Sequence, residues 1–268
     1  MTTLRPSWVP EDVDLEVPSP ARMYDALLGG SHNFAVDRKA AAEAVALVPD
    51  LPTVALSNRA FLRRAVHFLL DAGVRQFVDV GAGIPTVANT HELVAAATPA
   101  AKVAYVDIDP VAVAHARAIL ADHPHAIALR GDLRSPTPLL AEPELLKFID
   151  FDQPVAVLLV AVLHLLTDDD DPRTAVATLR DAMAPGSYLA VSHLSSAHRP
   201  EAAARLAEHS AQRSRVPITF RPRAEIEAFF EGFTMVEPGL VELPAWRPDT
   251  DAPVDAPRSL GLAGVGRR

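Results

Sequence analysis

The stretch Phe77-Val78-Asp79-Val80-Gly81-Ala82-Gly83 decides the fold. Phe77 to Val80 reads as a short apolar strand that enters a glycine turn, and a helix is expected to follow through Ala97. Glycines let the backbone come close to a ligand, and a helix N-terminus offers unpaired N–H groups. A dinucleotide fingerprint, G-x-G-x-x-G, would put its third glycine at position 86, but that residue is Thr86, preceded by Pro85. Asp79 stands just before the turn, in a slot that dinucleotide sites usually fill with an apolar residue. An acid there can hold the glycine loop and meet an ammonium group. A tight strand-to-helix turn with no ligand fits the same residues.

Downstream, the rhythm of strand and helix continues. Lys102 to Val106 is a second strand, followed by a helix from Pro110 to Asp122, and Ala126 to Leu129 is a third strand. Pro154 to Leu163 is apolar throughout, as a strand buried on both faces should be. A helix over Pro172 to Met183, a strand over Tyr188 to His193 and helices over Pro200 to Ser214 and Arg223 to Phe230 come next. Thr234 to Val241 and Leu260 to Gly266 are expected to be the final strands. Such alternation predicts an α/β fold with a mostly parallel, doubly wound sheet and helices on both faces. Asp107 would end the second strand about 25 residues after the glycine turn, where doubly wound folds place a carboxylate that accepts ribose hydroxyls. Asp109 precedes Pro110 and can cap that helix. Past the third strand, Gly131-Asp132-Leu133 offers a carboxylate for an adenine amino group and an apolar side chain for its ring, though Gly-Asp is also a common turn.

Upstream, residues 1–20 read as an extended lead. Ala21 to Leu28 is a short helix, with Ser19 as N-cap and Pro20 in the first helical position, ended by Gly29-Gly30. Arg38 to Val48 and Ser57 to Ala72 are two more helices. This divides the chain into a lead (1–20), a helical cap (21–74) and a sheet domain (75–268).

Composition narrows the chemistry. The 268 residues contain no cysteine, which excludes disulfides, iron–sulfur ligation and a cysteine nucleophile. The net charge of −9 disfavours nucleic acid as a partner, and aromatics at 6% weaken any base-stacking surface. No signal-peptide pattern opens the chain. Its longest apolar run, Val155 to Leu163, falls short of the roughly 18 residues that a membrane-spanning helix needs. A cytoplasmic protein with no membrane partner is the expectation.

The three carboxylate signals, in order, match the adenosylmethionine-binding pattern of class I methyltransferases. The chain resembles a bacterial family of S-adenosylmethionine-dependent methyltransferases first catalogued as a domain of unknown function. The most specific pieces are Ala21-Arg22-Met23-Tyr24-Asp25-Ala26-Leu27-Leu28-Gly29-Gly30, then Asn33-Phe34 and Asp37-Arg38. Asn58-Arg59-Ala60-Phe61-Leu62-Arg63-Arg64-Ala65-Val66, Leu159-Val160-Ala161-Val162-Leu163-His164 and Ala184-Pro185-Gly186-Ser187-Tyr188-Leu189 add to it. The resemblance implies a Rossmann-like fold, S-adenosylmethionine as cofactor and S-adenosylhomocysteine as product. It implies that Asp79, Gly81, Ala82, Gly83, Asp107, Ile108, Asp109, Gly131, Asp132, Leu133 and Val160 hold the nucleoside side. Arg22, Tyr24, Gly30, Asn33 and Arg63 then become candidates for the methionine end, with Arg22 or Arg63 pairing with its carboxylate.

Methyl transfer from a sulfonium is an in-line displacement, so positioning and desolvation can supply most of the effect. His164, at the expected end of the fourth strand, is the candidate general base for a poor nucleophile. A buried, satisfied histidine supporting that edge fits the residue equally well. His91 lacks a second histidine four residues on, so His91-Glu92 is not a zinc motif. His123 and His125 read as surface residues, and Asp168 to Asp171 as a solvated turn that caps the following helix. The expected function is methyl transfer to a small-molecule acceptor. Its rival is a regulatory or partner protein that binds the cofactor without turnover, and a nicotinamide oxidoreductase is disfavoured by Thr86 and Asp79.

Overall fold

A computed structural model describes residues 14–85, 89–249 and 259–268. The lead at 1–13 and Thr86 to Ala88 therefore lie outside the described residues. Three helices come first: α1 (Pro20–Leu27), α2 (Ala35–Leu47) and α3 (Leu51–Asp71). The sheet then begins with β1 (Gln76–Val80), α4 (Thr90–Ala97), β2 (Lys102–Asp107), α5 (Pro110–Ile119) and β3 (Ala126–Arg130). Two short helices, α6 (Pro136–Leu140) and α7 (Pro143–Phe148), fill a stretch that periodicity does not mark, because prolines restart the backbone there. Next come β4 (Ala156–Val160), α8 (Pro172–Ala182), β5 (Tyr188–Leu194), α9 (Pro200–Arg213) and α10 (Arg223–Glu227). The chain closes with β6 (Thr234–Met235), β7 (Val241–Glu242) and β8 (Gly261–Arg267).

The strands lie in the order β3-β2-β1-β4-β5-β8-β6, with β7 also pairing with β8. β1 to β5 run parallel, and β8 is antiparallel to β5, β6 and β7. Chain order reverses at β1, whose neighbours are β2 and β4. Open α/β sheets bind ligands beyond the carboxyl ends of their strands at such a reversal. The glycine turn at 81–83 lies there.

Several boundaries move. The glycine turn does not open directly onto a helix. Ile84 and Pro85 are non-helical, and α4 starts only at Thr90. The fourth strand stops at Val160 rather than Leu163, because Ala161 turns into the left-handed region at φ 59°. His164 therefore sits in a 3-10 turn past the strand, not at its end. The helix expected over Arg223 to Phe230 finishes as a 3-10 turn from Ala228, and the strand expected over Thr234 to Val241 is two separate pairs of residues.

The cap does not have a core of its own. Phe61, Leu62, Ala65 and Leu69 of α3 join Phe77, Tyr105, Leu158 and Ala190 of the sheet in one buried cluster. Trp246, fully buried, stands edge-on to Phe61 at 5.3 Å between ring centres. The apolar stripe of α3 is thus one face of the sheet's own core, so residue 74 is not a boundary between cores. Phe61→Ala should lower the unfolding free energy by about 3–5 kcal/mol. Urea titration followed by tryptophan fluorescence measures it, and a loss under about 1 kcal/mol would contradict the shared core.

Candidate active site

The carboxyl ends of β1, β2 and β3 bring the predicted carboxylates together. Asp79, Asp107 and Asp132 border one cavity of about 330 Å³, within the size range of small-ligand sites. Gly81, Ala82, Gly83, Ile108, Asp109, Gly131, Leu133, Val160 and His164 border it too. α1, α2, α3 and α9 supply residues to the other walls.

The glycine turn is held from inside. Gly81 N–H donates to Val106 O at 2.7 Å, and Gly83 N–H to Asp107 Oδ2 at 2.7 Å. Asp107 Oδ1 accepts from Asp109 N–H at 2.8 Å. The Gly81 and Gly83 amides are committed to the protein, and the helix that follows begins only at Thr90. Gly81, at φ +70°, has a second constraint. A Cβ there would come within 2.2 Å of Val162 Cγ2, so the chain after β4 packs directly over the turn.

Burial lifts the Asp107 carboxyl to about 6, against the backbone N–H groups of Asp109, Gly83 and Ile108 that favour its charge. Burial also pushes Asp79 up to about 6, against the Thr90 hydroxyl (2.8 Å) and the nearby positive charge of Arg59. Asp132 is different. Burial opposes its charge, but Arg134 outweighs that by donating to both oxygens at 2.7–3.1 Å and holds the carboxyl below its usual range. An adenine amino group would have to share that carboxylate with Arg134. Asp109 does cap α5, accepting from Val111 N–H at 2.8 Å.

Four of the predicted methionine-end residues serve the scaffold and do not border the cavity. Arg22 is buried and bound to Asp37 (2.8 Å), Asp109 (3.2 Å) and Val17 O (2.9 Å). The Ser19 side chain does not cap α1 but donates to Asp109. A Cβ on Gly30 would strike the Asp25 carboxylate, and Asn33 Nδ2 donates to that carboxylate at 2.7 Å, so both residues build a loop around Asp25. Arg63 pairs with Asp249 on the exposed side of α3. Tyr24 is the one that faces the cavity. Its hydroxyl donates to Ala55 O at 3.1 Å and accepts from Asn58 Nδ2 at 2.9 Å.

The missed residue is Arg59, one helical turn before Arg63. It borders the cavity, and its charge favours ionisation of Asp79, Tyr24 and Tyr105. The i to i+4 spacing put both arginines on one stripe of α3, but the sequence did not say where the stripe leaves the cavity. Ser192 was also missed. Its hydroxyl donates to Asn58 Oδ1 at 2.5 Å and accepts from Ala161 N–H at 2.9 Å, joining β5, α3 and the bend after β4.

His164 is buried beside a second histidine. Arg221 donates to His193 Nε2 at 3.1 Å, so Nδ1 carries the proton that His193 gives to Leu194 O at 2.7 Å. Arg221 also binds Asp168 (2.7 Å) and has Glu225 at 3.9 Å. Burial, the His193 ring and the Arg221 charge hold His164 well below its ordinary 6.5, and its Nδ1 has no hydrogen-bond partner. His164 is thus a neutral hydrogen-bonding group and a poor place to keep a proton. His123 and His125 are exposed as expected. Asp171 caps α8 through Thr174 N–H at 3.2 Å, while Asp168 has the further job of pairing with Arg221.

A family model described as S-adenosyl methyltransferase matches residues 6–268. The chain belongs to that family. It is an S-adenosylmethionine-dependent methyltransferase with the Rossmann-like fold of its class. A candidate methyltransferase from Thermobifida fusca YX, known as a crystal structure, is 42% identical over 98% of this chain and 99% of its own, with a TM-score of 0.92. A DUF574 family protein from Streptomyces avermitilis MA-4680 is 36% identical over 95% of this chain and 99% of its own, with a TM-score of 0.89. An O-methyltransferase family protein from Burkholderia thailandensis shares the fold alone, at 14% identity over 94% of this chain and 64% of its own, with a TM-score of 0.52. A search of curated proteins found no match. No single helix among the described residues is long and apolar enough to cross a membrane.

The raised carboxyls have a consequence for stability. A carboxyl whose folded value, about 6, exceeds its unfolded value, 3.8, stabilises the fold fully below the lower value and loses that contribution as pH rises through the higher one. Ligand-free protein should therefore lose on the order of 1–3 kcal/mol per group between pH 4 and 6. Asp79→Asn should remove one such loss and raise Tm at pH 7.5, read by scanning calorimetry. A Tm that falls by several degrees would contradict it.

Proposed function

We propose that the cavity holds S-adenosylmethionine along the ends of β3, β2 and β1, with a small-molecule acceptor beside it under the helices. The observation that carries this reading is the convergence of Asp79, Asp107 and Asp132 with the glycine turn on one cavity. The donor set fits the ligand. Asp107 would accept the ribose hydroxyls, and Asp79 would meet the ammonium group. Ile108 is a large apolar side chain left 48% exposed at the cavity edge, and with buried Leu133 it would flank the adenine ring. Arg59, rather than Arg22 or Arg63, would pair with the cofactor's carboxylate, and Tyr24 would close over that end.

The bound cofactor supplies a methyl group on a positively charged sulfur. The protein's part is to fix the acceptor in line with that methyl and exclude water. The helices on several sides of the cavity support a small molecule as the acceptor. His164 borders the cavity as a neutral group whose unpaired Nδ1 is available for one hydrogen bond with the acceptor, and in this reading that replaces its expected role as a general base.

Isothermal calorimetry with S-adenosylmethionine, S-adenosylhomocysteine and NAD tests the reading. The first two should bind and NAD should not. Asp107→Ala and Arg59→Met should each weaken S-adenosylhomocysteine roughly 10- to 100-fold, the loss of charge-assisted hydrogen bonds, whereas Arg63→Met should leave it unchanged. Unaltered affinity in Asp107→Ala would refute the placement. Radiolabelled methyl transfer to a small-molecule extract should be lost with Asp107→Ala as well.

A further inference from the structure

Strand order sorts the charges around the cavity. β3, β2 and β1 deliver Asp132, Asp107 and Asp79, and α1 adds Asp25. β4 and β5 lead instead to His164, Ser192 and His193. The segment 214–220 is tied to this second side, since Thr219 N–H donates to His164 O at 2.8 Å. Ile218 N–H donates to Ser210 Oγ at 3.0 Å, which brings α9 alongside, and the Asn58 to Ser192 bond brings α3. Among the described residues that border the cavity from β4 onward and from α3, there is no Asp or Glu. The ionisable groups there are Arg59, His164, His193, His209 and Arg213. His209 has Glu43 at 3.7 Å behind it, and Arg213 is exposed at the end of α9. Apart from Asn58, Ser192, Ser210 and Ser214, the rest of this wall is largely apolar, with Leu51, Val54, Leu62, Leu206, Ile218 and Phe220.

Resting on the cofactor placement above, we infer that the methyl acceptor is an oxygen acid on an apolar body, a carboxylic acid or a phenol, which lies against this second side with its oxygen near His164. An amine that arrives as an ammonium would meet Arg213 and neutral histidines with no carboxylate on this side, at a cost that grows as water is excluded. A neutral alcohol would need a base, and His164 cannot hold a proton next to Arg221 and His193. An ionised oxygen needs neither. Its lone pair forms the C–O bond to the methyl, the C–S bond breaks and its electron pair stays on sulfur. Anion and sulfonium become a neutral ester or ether and a neutral thioether. A phenol gives its proton to solvent before the transfer.

The test uses three naphthalene probes, bearing a carboxylate, a phenolic hydroxyl or an aminomethyl group, titrated into protein saturated with S-adenosylhomocysteine. The carboxylate or the phenol should bind at least about tenfold more tightly than the ammonium compound, and the better of the two names the acceptor class. Equal or reversed preference, or no binding by any probe, overturns the inference. Leu206→Trp should fill the apolar side and abolish probe binding while S-adenosylhomocysteine still binds. Arg213→Glu, an exposed change that spares folding, should cut the preference for the anion several-fold. Undiminished probe binding in both variants would place the acceptor elsewhere. Should S-adenosylhomocysteine itself fail to bind, the cofactor placement falls and this inference with it, an outcome distinct from a bound cofactor with indifferent probes.

Discussion

The Asp107 carboxylate is the joint on which the ligand edge depends. One oxygen holds Gly83 of the turn after β1, and the other holds Asp109 of the turn after β2. Two loops from neighbouring strands are thereby fixed to each other by a single buried group. A carboxylate accepts more than two hydrogen bonds, so lone pairs remain for a ribose after both loops are secured. The group is costly to bury as an anion, which is why its ionisation sits so high. In the proposed placement that cost, borne by the ligand-free protein, would be offset by the ribose hydroxyls, so a site that weakens the free fold would also be one that gains from its ligand.

Around this joint the chain is arranged by two further polar networks. Asp109 gathers Ser19 and Arg22 of the cap, and Arg22 in turn holds Asp37 at the start of α2. On the other side Arg221 gathers His193, Asp168 and the carbonyls of Leu163 and Leu166. Both arginines are nearly water-free, at 3% exposure each, and both have their donors matched to carboxylates, carbonyls or, for Arg221, the His193 ring as well. A buried guanidinium is tolerable only on those terms, and removing a partner from either would cost far more than the pair contributes.

Much of this was legible in the sequence. Strand–helix alternation gave the parallel sheet, and the spacing from Gly81 to Asp107 and Asp132 placed three carboxylates at successive strand ends, where one cavity joins them. What failed to show in the sequence was side-chain direction on the helices. Arg22, Arg59 and Arg63 look alike in a string of letters. One is swallowed by Asp37 and Asp109, one borders the cavity and one reaches Asp249 outside. Their roles depend on how α1 and α3 are rotated against the sheet, a tertiary outcome that no local pattern carries. Asn33 and Gly30 misled for a related reason, since a loop built around Asp25 uses the same small and polar residues as a ligand loop. The end of β4 was hidden because Ala161, an ordinary helix or strand former, adopts a left-handed turn that the hydrogen bonds from its N–H to Ser192 help to fix.

The Arg22 and Ser19 attachment to Asp109 also bears on traffic. Swinging α1 outward would strand the part-buried Asp109 carboxylate and the buried Arg22 guanidinium at once, so the cap is ill-suited to act as a door. The opposite wall has a different character. Residues 214–220 have almost no regular secondary structure, and all but exposed Arg215 are partly solvent-exposed at intermediate levels. Local opening is cheapest where few buried contacts must break. Exchange of acceptor and product is therefore expected along the α9 side, away from the part of the cap that Arg22 and Ser19 tie to Asp109. With the proposed cofactor placement, entry and anchoring would be divided between opposite ends of a single cavity.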